Sequence, residues 1–245
     1  MSELVAIGVD GCRSGWLAVG LPEHNGREAL IRHCATFSDV LDWRYGTGDR
    51  AVVAIDVPMG LTENGKPRNA DTEARRLLGV RSSSVFAPPG RSLLDAVEYA
   101  EVQSRVAAAR QDDPTVPGLS RQAFGLLPKI REVDDAVASL SGHEKWLIEV
   151  HPEVSFRQWA GRSPVGKRSA AGVAARLALV LDRFPELLAG ENLIVLEDSC
   201  LGADFTDVLD AAAAVWSAER WISGNAAELG DGERDSLGRP MRIVA

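Results

Sequence analysis

At 245 residues, 45% apolar and 25% charged, the chain has the make-up of an ordinary globular protein able to bury a sizeable core. Its net charge of −8 and pI near 5.1 exclude long-range attraction to a phosphate backbone, so cationic groups for nucleic acid must be local or supplied by metal ions. No run approaches a bilayer span, and Met1-Ser2-Glu3-Leu4 lacks the basic start and apolar stretch of a signal peptide.

Cys12, Cys34 and Cys200 are odd in number and show no Cys-x-x-Cys spacing. A disulfide framework or cysteine zinc site is therefore not expected, and a cytoplasmic location without a membrane partner is.

Leu4-Val5-Ala6-Ile7-Gly8-Val9 is an apolar run of the buried-strand kind. It leads into Asp10-Gly11-Cys12-Arg13-Ser14-Gly15, whose glycines suit a tight turn, and Trp16 to Leu21 returns as the second strand of a hairpin. Glu23-His24-Asn25-Gly26 turns the chain into a third strand from Ala29 to Ala35. Ser38 offers an N-cap for a short helix to about Tyr45. Ala51-Val52-Val53-Ala54-Ile55 is a fourth strand, ending at Asp56.

From about 60 to 142 the pattern turns helical, over Asn69 to Leu78, Leu93 to Arg110 and Ser120 to Leu140. Trp146-Leu147-Ile148 is a fifth strand ending at Glu149, and Pro152 opens a short helix. Lys167 to Phe184 is helical by the spacing of Val173, Leu177, Val180, Leu181 and Phe184. Leu193 to Leu196 reads as a short strand or a helix edge, and Asp204 to Ile222 as a final alanine-rich helix. The whole is expected to be one α/β domain over 1–245, with a mixed sheet flanked by helices and a helical insertion after the fourth strand at approximately 60–142.

Three acids fall at strand ends: Asp10, Asp56 and Glu149. That is where α/β proteins place ligand chemistry, although a lone aspartate there often does no more than open a turn. A carboxylate straight after an apolar run is costly to bury unpaired. On the last helix Asp207 and Asp210 stand three residues apart on one face, where their mutual repulsion would be reversed by a shared cation. Asp204 fits the favourable place of an acid at a helix start. Ala211 to Ala214 would let this helix approach another element closely. Hard oxygen donors of this kind select Mg²⁺ or Mn²⁺, which can activate water and stabilise the leaving oxygen of a phosphodiester. No Gly-x-Ser-x-Gly elbow, His-Glu-x-x-His or Walker-type loop offers another chemistry.

Several segments resemble motifs of a domain-of-unknown-function family, number four-two-nine, described as predicted RNase H-like nucleases. They are Gly8-Val9-Asp10-Gly11-Cys12-Arg13, Ile55-Asp56-Val57-Pro58-Met59-Gly60-Leu61, Arg81-Ser82-Ser83-Ser84-Val85-Phe86, Leu119-Ser120-Arg121-Gln122, Pro128-Lys129-Ile130-Arg131-Glu132-Val133-Asp134, Glu149-Val150-His151-Pro152-Glu153 and Asp207-Val208-Leu209-Asp210-Ala211. The resemblance runs nearly end to end and implies an RNase H-like fold. In the wider superfamily an acid on the first strand, one near the fourth and one or two on a late helix hold the metals. Asp10, Asp56, Asp207 and Asp210 match those places, and Glu149 is a further catalytic candidate.

Among basic and polar groups, Arg81 with Ser82, and Lys129, are candidates to bind substrate phosphate. His151 is a candidate proton shuttle, with a structural hydrogen-bonding role as its alternative. Lys167 reads as a solvated residue opening a helix, with an ammonium pointed toward the site as its alternative, Arg75 and Arg76 as a solvated face, and the scattered tryptophans as core. The expected activity is metal-dependent phosphodiester hydrolysis on nucleic acid or a nucleotide, and a homo-oligomer is compatible with the sequence. Two alternatives are an ATP-dependent phosphotransferase of the actin-like fold, and a non-catalytic ligand-binding or regulatory protein on the same fold.

Overall fold

The apolar runs of the first sixty residues build a sheet. In a computed structural model, which describes residues 3–24, 28–163, 165–199 and 202–245, the hairpin forms from β1 (Leu4–Cys12) and β2 (Gly15–Pro22), followed by β3 (Leu30–Cys34), α1 (Phe37–Gly46) and β4 (Val52–Ile55). The helices α2 (Asn69–Leu78), α3 (Tyr99–Asp112) and α4 (Arg121–Ala138) come next. The chain then makes β5 (Leu147–Glu149), α5 (Pro152–Trp159), α6 (Ala170–Arg183), α7 (Glu191–Ser199) and α8 (Phe205–Ile222). Two short strands, β6 (Glu228–Leu229) and β7 (Ile243–Val244), pair with each other. Among the described residues no helix is long and apolar enough to cross a membrane.

The five-stranded sheet has the order β3-β2-β1-β4-β5. Pairing is antiparallel through β3, β2 and β1, and parallel through β1, β4 and β5. This is the mixed sheet of an α/β protein.

The described residues divide into two units, Met1–Val57 with Ser141–Glu228 and Val244–Ala245, and Pro58–Leu140 with Leu229–Ile243. In the first, α8 packs on β1, β2 and β4, with α5 and α6 against α8. The core on that side gathers Ala6, Leu17, Val52, Ala54 and Ile148 from the sheet with Phe156, Val180, Phe184 and the buried alanines of α8. At the other end of the sheet, β3 is an edge strand. Asn192 of α7 accepts from Ile31 N–H at 2.7 Å and donates to Ala29 O at 2.7 Å. That side chain occupies backbone groups which would otherwise invite another strand.

The second unit takes in the stretch read as a helical insertion and, beyond it, residues 229–243. Buried ion pairs hold it. Arg68 pairs with Asp71 at 2.7 Å and donates to Gly60 O at 2.9 Å. Arg91 and Arg239 both bind Asp134, and Arg91 also binds Asp235. These contacts tie the 229–243 stretch, which the sequence left without assigned elements, to α4.

Several boundaries differ from expectation for local reasons. Strand β1 continues through Cys12, so Asp10 lies within the strand rather than at its end. The cap of α1 is Thr36, two residues ahead of Ser38, in a reciprocal capping box with Asp39. Residues 93–98 are not α-helical, because Arg131 takes the carbonyls of Leu94 and Ala96 that a helix would use. Ser169 caps α6, which leaves Lys167 in the preceding loop. Leu193 to Leu196 lie within α7. Cys200 and the Asn25-Gly26 part of the turn lie outside the described residues.

Candidate functional site

The first unit brings most of the acids together through one close approach. A Cβ on Gly8 would lie 2.1 Å from Ala211 O and 2.4 Å from Val215 N. The bare α carbon thus lets the backbone of α8 touch β1, and Ala211 to Ala214 keep the contact low on the helix side. Side chains alternate along a strand, so Ala6, Gly8 and Asp10 face α8 together. Strand β4 lies in register beside β1, with Gly8 opposite Ala54 and Val9 opposite Ile55. Asp56 N–H extends that ladder to Val9 O at 3.1 Å. Two residues after Ala54, Asp56 therefore comes to the same side as Asp10.

Burial and mutual repulsion dominate the electrostatics. Asp10 and Asp210 are 9% and 2% exposed. Burial pushes the Asp10 carboxyl well above its ordinary pKa, and the charges of Asp56, Asp210 and Asp207 push it further. Burial likewise raises Asp56 to about 6; His151 and Lys167 oppose this, while Asp210 and Glu149 add to it. Asp210 is raised by burial, against the pull of Lys167. Four carboxylates thus share one field with too little positive charge.

One cation is already there. The Lys167 ammonium donates to Asp210 Oδ2 at 2.7 Å, and its side chain remains 42% exposed. Burial alone would depress the lysine, but Asp210, Asp10 and Asp56 more than offset it and its pKa lies above the ordinary value. The loop carrying Lys167 is fixed from behind. Arg176, itself 1% exposed, donates to Val165 O at 2.8 Å and holds Glu153 with two bonds of 2.8 and 2.9 Å. Gly166 O sits so close to Gly172 that a Cβ there would be 2.1 Å away.

The remaining candidates divide. Asp207 turns one oxygen back to accept Asp204 N–H at 2.8 Å, a helix-capping role that leaves its other oxygen for the shared field. Glu149 stands opposite Ile55 in the β4–β5 ladder, so strand alternation sends it to the face away from Asp56, and its effect there is the smallest of the five. His151 precedes α5 and acts on Asp56 by charge. Arg81 and Ser82 lie in a 3₁₀ turn, Gly79–Ser84, and Lys129 in α4, all in the second unit. Sequence reasoning held the Lys167 contact only as the alternative to a solvated lysine, and missed the Glu153–Arg176 pair, for which an arginine on the inner face of a mostly apolar helix was the available signal.

The donor set suits a divalent cation in type and in charge: hard oxygens, acting on one another, with one monovalent counter-ion among them. Among the described residues no three carboxylate, imidazole or thiol side chains stand at metal-ligand spacing. In this state the carboxylates share a field and not a coordination sphere.

A family model described as "Protein of unknown function (DUF429)" matches residues 8–234. No curated protein and no solved structure matches the chain.

Proposed function

The chain belongs to the DUF429 family, and from its acidic site we propose that it is a divalent-metal-dependent phosphodiester hydrolase, a nuclease on an RNase H-like fold. The observation that carries this reading is the convergence of Asp10, Asp56 and Asp210 from adjoining β1, β4 and α8, with Asp10 and Asp210 only 9% and 2% exposed and the Asp10 carboxyl raised by burial and then by the charges of the other two. Burying like charges together costs free energy that a structural role does not return, whereas a bound dication does. The strand order and the placing of the acids support the RNase H-like affiliation.

Asp10, Asp56 and Asp210 would hold Mg²⁺ or Mn²⁺, with the free oxygen of Asp207 as a fourth donor. Such an ion supplies Lewis acidity at a phosphate oxygen and makes water nucleophilic. The chain's own part is to hold these carboxylates together, fixed by the contact of α8 with β1, so that a bound dication offsets the cost of ionising them. His151, close enough to act on Asp56 by charge, is the group to accept or return a proton. Nucleic acid or a nucleotide is the substrate class, engaged through phosphate.

Lys167 favours one second reading, because it partly neutralises Asp210 without any metal: a ligand-binding or regulatory protein without turnover. Calorimetric titration with Mn²⁺ of wild type, Asp10→Asn and Asp210→Asn tests the first reading, followed by incubation with single- and double-stranded DNA and RNA. Binding lost in both folded variants, with hydrolysis lost alongside, is the expected result. Binding without hydrolysis of any substrate supports the second reading, and binding indifferent to both substitutions overturns the metal assignment.

A further inference from the structure

We infer that Lys167 is the resident counter-ion of the acidic site and gives up Asp210 when a divalent cation binds. This deepens the proposed function and rests on it. Three observations carry the inference. The ammonium is bonded to Oδ2 of the one carboxylate of α8 that is 2% exposed, so a cation taking that oxygen must displace it and one taking the other oxygen stands beside it. The loop backbone does not have to move: Val165 O is fixed by Arg176, Arg176 by Glu153, and Gly166 is wedged on Gly172. The lysine side chain is part exposed and has four flexible carbons, so it can swing outward on a stationary base.

The exchange has a physical reason in both states. Without metal, Lys167 limits the repulsion among Asp10, Asp56, Asp207 and Asp210, each of which it draws down. With a dication on the same oxygen the sign reverses, since ammonium and metal repel at short range. The lack of three donors at ligand spacing among the described residues agrees with a lysine-held resting state. After release the ammonium stands at the rim of a phosphate-binding site, where it is available to a substrate oxygen.

Two measurements on the full chain test the exchange. In calorimetric titration with MnCl₂, Lys167→Met should bind Mn²⁺ more tightly than wild type, by roughly 5- to 150-fold as for two coupled ligands. In wild type, acetylation by an N-hydroxysuccinimide ester, read by peptide mass spectrometry against Lys66 and Lys145, should increase severalfold at Lys167 on adding Mn²⁺. The second needs no variant and so does not depend on Lys167→Met folding. Equal Mn²⁺ affinity in the two proteins, with wild type binding, overturns the inference and leaves the metal site standing. Tighter binding in the variant with unchanged labelling in wild type also overturns it, since the lysine would then act only through space. Absence of Mn²⁺ binding in both removes the metal reading, and the inference with it.

Discussion

Asp56 is the carboxylate whose environment sets the clearest pH signature. Burial, helped by Asp210 and Glu149, lifts it from 3.8 to about 6, so between those values the folded state binds its proton while the unfolded state has released it. Where the folded state holds more protons, stability falls as pH rises. Asp10, Asp210 and Asp207 are shifted in the same direction. Acids shifted the other way work lower: Asp113, held at about 2 by Lys66 and Thr115, and Asp39, lowered by Thr36, contribute stability that is lost as pH falls below the ordinary carboxylate range. In EDTA, thermal denaturation should therefore show a maximum near the ordinary carboxylate value, about pH 4, and a decline to about pH 6. Asp56→Asn should flatten that decline, and Mn²⁺ should lift the neutral end. A melting temperature that climbs steadily to neutrality would mean the acids are not jointly buried in solution. Asp10, Asp56 and Asp210 were legible because a carboxylate at the edge of an apolar run is unusual on local grounds. Lys167 was legible only as an alternative to a solvated lysine, because its partner is 43 residues away and nothing local separates the two readings.

The contact between α8 and β1 converts those residues into a site, and Gly8 sets its closeness. Adding one methyl there drives a Cβ to 2.1 Å from a helix carbonyl, and neither strand nor helix backbone can yield without moving the other. Gly8→Ala should cost about 1–3 kcal/mol or more, the range for an overpacked core, measurable by urea denaturation with an unchanged m-value. It should also weaken Mn²⁺ binding, since α8 carries Asp210 and β1 carries Asp10. A neutral substitution would show that the two elements are not in backbone contact. The sequence announced this helix by its length and its alanines, and the sheet by its uniformly apolar runs. It was silent on β6 and β7, since two-residue strands have no period to read, and it overran at 93–98, where the outcome hangs on Arg131 of α4 binding two carbonyls more than thirty residues away. The capping of α8 is a further case: the spacing of Asp204, Asp207 and Asp210 is plain, but only the folded helix start shows that Asp207 spends one oxygen on Asp204 N–H.

Across the whole chain, the charge balance constrains how a phosphodiester can be engaged. A net charge of −8 repels nucleic acid at a distance, and the proposed site adds four carboxylates at the point of contact. Affinity must then come from charge reversal at the site and from few phosphate contacts. Binding of a fluorescein-labelled single-stranded oligonucleotide, followed by anisotropy, should be absent in EDTA and should appear with Ca²⁺, an oxygen-seeking ion used here to hold the complex. Its salt dependence should be shallow, because the slope of log affinity against log salt scales with the number of phosphates neutralised, at about 0.9 per phosphate for duplex DNA and about 0.7 for single strands. Lys167→Met should weaken the oligonucleotide in Ca²⁺ even as it tightens the metal, because the released ammonium is then missing from the rim. Tight, EDTA-resistant binding with a steep salt slope would instead require a basic groove elsewhere on the chain. In that case the carboxylates would serve something other than phosphate chemistry, and metal-independent recognition would become the property to explain.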